Sequence, residues 1–159
     1  MKVRSIFLSL TLIIMLAVSL AGLSFAKEVA TKEECVAKVK EAVKLLKEIG
    51  PDAAIKKFID RNGPFVWKDS YVFCVDNDQA KMLAHPFPGA VGIDFIHWKD
   101  ADGKEPFGDI LKTAAGKGEG WKSYNHLKPG GPKALLKTTY FVFEPKSKLI
   151  VGAGYYTYE

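Results

Sequence analysis

Lys137 is the residue whose surroundings in the sequence most strongly indicate chemistry. It lies within residues 135–141, which otherwise consist of leucine, threonine, tyrosine and phenylalanine, as in a buried strand. An unpaired ammonium group is costly in such a setting, so the position predicts a cation that receives an anionic or polar partner. The alternative is a lysine whose aliphatic stem lets the ammonium group reach solvent from an edge strand.

Histidine and aromatic side chains supply further candidate hydrogen-bond donors. His85 precedes Pro86 and could either donate to a bound group or serve as a turn residue. Tyrosine hydroxyls and the tryptophan indole combine donors with apolar bodies, although such side chains also commonly fill strand faces. Strict alternation places Trp121 and Tyr124 on opposite faces of a strand, so both could line one pocket only across a bulge. The candidate ligand-binding residues are Tyr71, His85, Trp121, Tyr124, Lys137 and Tyr140.

Residue patterns of catalysis, metal binding and nucleotide binding are missing from the sequence. No Ser-His-Asp or Cys-His arrangement is recognisable, and the G-x-G-x-G segment 116–120 follows a predicted helix instead of opening one. Residues 100–103 match the start of a calcium-binding EF-hand loop, but Lys104 and Leu111 stand where oxygen ligands are required. We therefore expect a protein that is not an enzyme and that carries no metal or other cofactor.

A predicted β-hairpin over residues 71–86 would present two of the candidate residues. Its first strand is rich in aromatic and β-branched residues, a polar turn follows, and Pro86 ends the second strand because proline cannot donate to a ladder. Alternation would direct Cys74 to one face and Tyr71, with its odd-numbered neighbours, to the other. The hairpin therefore predicts one core face and one pocket face, with His85 at the rim of the pocket.

Two helices are predicted before the hairpin. Thr31 and Glu34 have the spacing of a capping box, and apolar residues then recur at three- and four-residue intervals. A Gly-Pro pair at residues 50–51 ends this long helix, and a shorter helix is predicted over 52–60.

The C-terminal half predicts a loop, a helix and a series of strands. Segment 86–92 is rich in proline and glycine and would close a pocket over the hairpin, and a helix should begin near Pro106. Strands are predicted at 121–127, 135–143 and 149–158, joined by short turns that favour antiparallel pairing. With the hairpin they give a sheet of about five strands. Helices set apart from such a sheet make the predicted fold class α+β, with the long N-terminal helix packed on one face.

The N-terminal residues have the pattern of an export signal. Lys2 and Arg4 precede an almost wholly apolar run over 6–20, and small residues occupy the positions that a signal peptidase reads. We expect cleavage after Ala26, leaving residues 27–159 as a single periplasmic or otherwise secreted domain; an uncleaved membrane anchor is the alternative. No later segment is apolar enough to insert stably into a membrane. The formal net charge of +5 becomes +3 when Lys2 and Arg4 are removed with the signal, which is too mild to indicate nucleic-acid binding.

Cys35 and Cys74 are the two cysteines of the chain. Exported proteins commonly pair an even set of cysteines, so we expect a disulfide bond between them, with two buried thiols as the alternative. Their separation fits no metal-binding motif.

An ordered series of motifs resembles the single Cache family, the extracytoplasmic small-molecule sensor domains of bacterial chemoreceptors and histidine kinases. The resemblance points in particular to the subgroup that occurs as free exported proteins, and it covers nearly the whole chain after Ala26. The motifs are YVFCVD (71–76), LAHP (83–86), DADGK (100–104), GEGWKSY (118–124), KTTY (137–140) and VGAGY (151–155).

The resemblance implies a fold, a ligand class and a partner. The fold would be a PAS-like antiparallel sheet with a long N-terminal helix behind it and a ligand pocket on the opposite face. Small organic acids such as acetate, propionate, pyruvate or lactate would be the ligands, with Lys137 as the first choice to hold the carboxylate and His85 as the second. The occupied domain would act through a membrane chemoreceptor or histidine kinase. The alternative is an interaction or assembly subunit with a vestigial pocket.

Three features depart from the usual pattern of that family. Residues 125–127 stand where members often show a tryptophan-proline pair, which affects one pocket wall. No second transmembrane helix or signalling module is recognisable, so a separate membrane protein would have to pass the signal inward. The pair of Cys35 and Cys74 would fasten the long helix to the sheet.

Overall fold

The computed structural model describes residues 28–128 and 131–158, so the predicted signal peptide and its cleavage site lie outside the described residues. The helices are α1 (Lys32–Ile49), α2 (Pro51–Phe58) and α3 (Pro106–Lys117), with a short 3-10 helix at Pro88–Ala90. Within these residues, no helix has both the length and the apolar character needed to span a bilayer. The strands are β1 (Val66–Trp67), β2 (Ser70–Asp76), β3 (Met82–Ala84), β4 (Glu119–Leu127), β5 (Ala134–Glu144) and β6 (Leu149–Tyr156).

Helix α1 begins with the predicted capping box. The Thr31 hydroxyl accepts a hydrogen bond from the Glu34 amide at 3.2 Å, and the Glu34 carboxylate accepts one from the Thr31 amide at 2.9 Å. The helix ends at Gly50, whose φ of 79° favours glycine, and Pro51 then occupies the first turn of α2. The apolar stripe of α1 is buried against the sheet.

The strands form one antiparallel sheet in the order β1-β2-β6-β5-β4, with β3 also paired to β2. This arrangement confirms the predicted α+β fold class, with α1 packed on one face. The sheet has six strands instead of the predicted number of about five. The difference arises because Val66 and Trp67 pair with Tyr71 and Ser70 as a short additional strand.

Alternation along β2 divides the buried residues into two clusters, one on each face of the sheet. As predicted, Cys74 faces one side while Tyr71 and its odd-numbered neighbours face the other. The helix-side cluster consists of Ala30, Cys35, Val39, Ala42, Val43, Leu46, Ala54, Phe58, Phe65, Val72, Cys74, Ala84, Tyr140, Leu149, Val151 and Ala153. The cavity-side cluster consists of Tyr71, Phe73, Val75, Met82, Phe95, Phe107, Ile110, Ala114, Tyr124, Phe141 and Ile150.

The structure corrects the expected disulfide bond, because Cys35 and Cys74 are two free thiols, both fully buried. The Cys35 thiol lies beside the Ser70 hydroxyl at the start of β2. Cys74 comes four residues later in the same strand, about 13 Å further along at the usual rise of a β-strand. A disulfide needs α-carbons within about 7 Å of each other. Burial raises the pKa of Cys35 to about 11 and that of Cys74 to about 12, so both remain protonated thiols.

The cavity-side face is covered by the segment between β3 and α3. After the 3-10 helix the chain returns alongside β3, where the Gly92 amide donates to the Met82 carbonyl at 2.8 Å. The Met82 amide donates to the Ile93 carbonyl at 3.1 Å and the Phe95 amide to the Ala80 carbonyl at 2.7 Å, so three backbone hydrogen bonds hold this loop. Helix α3 follows and packs on β4 and β5.

The turn at residues 100–104 is closed by its own carboxylate. Asp100 Oδ1 accepts hydrogen bonds from the amides of Asp102 and Lys104, both at 2.9 Å. The segment is therefore a turn that leads into α3. Across residues 28–128 and 131–158, no group of three or more histidine, cysteine or acidic side chains could hold a metal ion.

Candidate ligand-binding site

A cavity of about 560 Å³ lies between the sheet and the covering segment, a size typical of small-molecule sites. Strands β2, β4 and β5 supply its floor, and residues 87–98 with the start of α3 supply its cover. Four of the six predicted candidate residues line it, namely Tyr71, His85, Tyr124 and Lys137. The other lining residues are Phe73, Met82, Phe87, Gly89, Ala90, Ile93, Phe95, Trp98, Phe107, His126 and Leu127.

Lys137 is the buried cation of this cavity, with only 1% of its surface exposed. Its Nζ donates a hydrogen bond to the Tyr71 hydroxyl at 3.0 Å and lies 4.1 Å from the centre of the Tyr71 ring. Nζ also lies 5.3 Å from the ring centre of Tyr156. Among the residues that the structure describes, no carboxylate forms an ion pair with it, and burial lowers the Lys137 pKa to about 7.

The strand register directs Lys137 into the cavity, and the glycine at position 154 leaves room for it. In β5 it pairs with Tyr124 of β4 and Tyr156 of β6, and alternation directs it to the cavity side together with Thr139. A Cβ at Gly154 would lie 2.9 Å from Lys137 Cε and 2.5 Å from Thr139 Oγ1. Glycine at this position therefore leaves the space that the lysine stem occupies.

His85 reaches the cavity from the end of β3. Its Nδ1 accepts a hydrogen bond from the Phe87 amide at 3.1 Å, which leaves Nε2 as the nitrogen that carries the proton. The imidazole packs edge-on against Tyr71, with ring centres 4.5 Å apart. Burial, helped by the charge of Lys137, lowers the His85 pKa to about 4. The side chain is thus a neutral hydrogen-bond donor at neutral pH.

Two further polar side chains of the cavity are held by neighbouring hydroxyl groups. The Tyr124 hydroxyl is hydrogen-bonded to Thr139 Oγ1 at 3.0 Å, and burial raises its pKa. His126 Nδ1 lies 3.2 Å from the Tyr156 hydroxyl, and burial lowers the His126 pKa to about 3. Both groups are therefore uncharged at neutral pH.

One end of the cavity is an aromatic wall formed by Phe95, Trp98 and Phe107. The rings of Phe95 and Phe107 meet edge-to-face, with centres 4.0 Å apart. The Trp98 ring lies 5.4 Å from that of Phe107 and 5.8 Å from that of Tyr124. The wall thus joins the covering segment, α3 and β4 into one apolar surface.

Trp121 and Tyr140 are the two predicted candidates that the structure does not bring to the cavity. They pair directly across β4 and β5 in a register without a bulge, so alternation sends both to the helix side. Their rings lie 5.1 Å apart, and the Tyr140 hydroxyl donates to Glu119 at 2.8 Å. Trp121 is 37% exposed, with the ammonium of Lys32 5.3 Å from its ring centre.

Sequence reasoning missed His126 and the aromatic wall. His126 follows Tyr124 by two residues, so alternation along β4 was a signal that could have placed it on the cavity side. Phe95 and Trp98 lie in an irregular segment, where neither strand nor helix periodicity indicates which way a side chain points.

Beside the cavity, Asp69 joins both ends of the described chain. Its Oδ1 accepts from the Ala30 amide at 2.7 Å, and its Oδ2 accepts from the Tyr158 hydroxyl at 2.5 Å and from Lys128 Nζ at 3.2 Å. Burial alone would raise the Asp69 pKa, but these hydrogen bonds hold it below its usual value. Only Ser70 separates Asp69 from Tyr71, the partner of the buried lysine.

A family model for the Cache domain matches residues 27–159. The chain belongs to the Cache domain family. This membership agrees with the observed antiparallel sheet, the long helix on one face and the cavity on the other. The match extends over both cavity walls, from the strand that bears Tyr71 to the strands that bear Tyr124 and Lys137.

Solved structures of chemosensory domains have the same fold. One, a Cache chemosensory domain studied for carboxylic acid recognition, is 25% identical, with a TM-score of 0.66 over 79% of this chain and 92% of that chain. A periplasmic sensor domain of a chemotaxis protein is 23% identical, with a TM-score of 0.61 over 79% of this chain and 90% of that one. A methyl-accepting chemotaxis protein from Vibrio parahaemolyticus is 22% identical, with a TM-score of 0.62 over 79% and 87%.

Proposed function

We propose that this chain is an extracytoplasmic sensing domain that binds a small organic carboxylate in the cavity around Lys137. It would be a single Cache domain, exported after cleavage at Ala26, that takes part in signal transduction or chemotaxis. We propose no catalytic activity and no cofactor. The solved Cache domain studied for carboxylic acid recognition supports the ligand class, since it shares 25% identity with this chain.

The observation that carries the proposal is the buried ammonium group of Lys137. A lysine that is 1% exposed and has no carboxylate partner among the described residues is unfavourable in the empty protein. A ligand carboxylate would neutralise the charge and form a charge-assisted hydrogen bond in a setting of low polarity. Binding of an anion in the cavity would therefore offset the unfavourable burial of the Lys137 ammonium group.

Neighbouring donors give the carboxylate a second point of attachment. The neutral imidazole of His85 can donate through Nε2, because its Nδ1 is occupied by the Phe87 amide. The Tyr71 hydroxyl accepts from Lys137 at 3.0 Å and positions the ammonium group. Tyr124 lies across the strand pair from Lys137 and would contact the ligand body.

A membrane chemoreceptor or histidine kinase is the proposed partner. The Asp69 junction connects the region around Tyr71 to residues at both ends of the described chain. A ligand that displaces Tyr71 or Lys137 would strain that junction and so alter the surface that such a partner recognises.

A second candidate function is an assembly subunit that docks a partner protein and leaves its cavity empty. Its support is three exposed apolar side chains of β4 and β5, namely Trp121, Leu127 and Leu136, which are 37%, 59% and 44% exposed. The buried lysine argues against it, since a vestigial cavity gains nothing from a buried cation that has no carboxylate partner among the described residues.

A thermal-shift titration of the exported, purified protein tests the proposal. Acetate, propionate, pyruvate and lactate are added in turn, and a ligand that binds only the folded state must raise the melting temperature with concentration. Lys137→Met should abolish the shift, whereas Lys57→Met, at an exposed position on α2, should leave it unchanged. A flat response to every carboxylate from folded protein would overturn the proposal and favour the docking subunit.

A further inference from the structure

The cavity is much larger than its single charged group requires. Its volume is about 560 Å³, whereas one water molecule occupies roughly 30 Å³ of liquid. A two-carbon acid held at Lys137 would leave most of this space to water in contact with aromatic rings. Such water makes few hydrogen bonds, so an apolar group that displaces it gains affinity.

The lining residues also limit how many negative charges a bound ligand can carry. Among the described lining residues, Lys137 is the one cation and no carboxylate is present. His85 and His126 are kept neutral by burial, since their pKa values are about 4 and about 3. One negative charge can therefore be matched, while a second carboxylate on the same ligand would have to lose its hydration without a partner.

The part of the cavity beyond the polar groups is aromatic. Phe95, Trp98 and Phe107 present ring faces and edges to the interior, and Ile93 extends the same apolar surface. Planar rings pack favourably against such edges at centre distances of about 5 to 7 Å. The surface would contact the part of a ligand that lies away from its carboxylate.

From these observations we infer that the ligand is a monocarboxylate with a bulky apolar tail, of the size of a branched-chain or aryl acid, and that the aromatic wall binds the tail. This inference rests on the proposed function, because it assumes a carboxylate at Lys137. It adds that Trp98 is a residue that determines specificity.

Isothermal titration calorimetry with a graded series of ligands tests the inference. The series is acetate, propionate, isovalerate and phenylacetate, with succinate as a dicarboxylate and phenethylamine as an aryl tail of opposite charge. Affinity should rise by about fourfold for each methylene that becomes buried, so phenylacetate should bind at least about tenfold more tightly than acetate. Succinate and phenethylamine should bind more weakly than phenylacetate by a similar factor or more.

The results distinguish a failure of the inference about the tail from a failure of the proposed carboxylate site. If acetate binds as tightly as phenylacetate, or succinate more tightly, the inference about the tail is overturned while the carboxylate site stands. If none of the acids binds to folded protein, the proposed function fails and the inference fails with it.

A pair of tryptophan variants tests the role of the wall. Trp98→Ala should weaken phenylacetate at least about tenfold more than it weakens acetate, because only the larger ligand reaches the indole. Trp121→Ala removes the same side chain on the helix side of the sheet and should change both affinities equally little. Circular dichroism melting confirms that each variant is folded. Equal losses for both ligands in Trp98→Ala would contradict the assignment of the tail site.

Discussion

On the helix side of the sheet, aliphatic residues of α1 and the ring of Phe58 from α2 fill the space against β2 and β6, and the cluster is apolar apart from the Tyr140 hydroxyl and two protonated thiols. On the cavity side, large aromatic residues surround an open volume and a buried ammonium group. One sheet therefore has a face that is packed for stability and a face that gives up packing for binding. Truncation of a core residue on the helix side should lower the free energy of unfolding, whereas removal of the buried charge on the cavity side should raise it.

The largest effect is expected from truncation on the helix side. Phe58 is fully buried and meets Phe65 edge-to-face, with ring centres 5.0 Å apart. Phe58→Ala should lower the free energy of unfolding by about 3 to 5 kcal/mol, measured by urea denaturation. Carboxylate affinity of the molecules that remain folded should be unchanged. A loss below about 1 kcal/mol would show that this side is not the stabilising core.

A substitution on the cavity side should act in the opposite direction. Lys137→Met keeps a similar volume and removes a buried ammonium group that forms no ion pair with any described residue, so it should raise the free energy of unfolding at pH 6 by about 1 to 4 kcal/mol. The same variant should no longer bind carboxylates. Urea denaturation and calorimetry on one preparation measure both effects. A variant that is less stable than wild type would contradict our view that the empty site is unfavourable.

Stability should also depend on pH in a way that isolates the lysine. The Lys137 pKa is about 7 in the folded protein, against an ordinary lysine value of 10.5. Between these values the unfolded chain binds the extra proton, so stability should rise as pH rises from about 7 towards 10 and should be flat with respect to this group below 7. The difference between wild type and Lys137→Met, measured by urea denaturation across this range, should shrink as pH rises. A constant difference would mean that the lysine titrates normally.

The smallest effect concerns the cysteines of the helix side. Since Cys35 and Cys74 are separate buried thiols, reducing agent should leave the melting temperature unchanged. A thiol reagent should react with two groups only after unfolding, because burial raises the pKa of both thiols. A drop in melting temperature on reduction would restore the disulfide that the sequence predicts.

Periodic segments explain how much of this organisation could be predicted. The capping box at Thr31, the apolar stripe of α1 and the alternation of Tyr71 and Cys74 follow from local geometry, and all three are confirmed. Alternation also predicted that Trp121 and Tyr124 face opposite sides of the sheet, and the regular register of β4 and β5 confirms this.

The remaining features depend on contacts between distant segments. Nothing in the sequence shows that Cys35 lies beside the start of β2 and not beside Cys74. The point at which a helix crosses a sheet is set by tertiary packing. The aromatic wall brings together Phe95, Trp98 and Phe107 from an irregular segment and from α3, which no single periodicity relates. Sequence patterns thus indicated that Lys137 is buried with a polar partner, whereas the aromatic residues around the cavity could be identified only from the fold.

The most direct test of the central claim is the titration of Lys137 itself, followed by NMR of lysine carrying ¹³C at Cε, with Lys137→Met to assign the signal. Without ligand, the Lys137 pKa should lie near 7. Saturating phenylacetate, or acetate if that binds better, should raise the pKa by at least about one unit, because a carboxylate favours the charged form. A Lys137 pKa near 10.5 in the free protein, or one that the acid does not move, would contradict the claim that this lysine is the anion-binding centre.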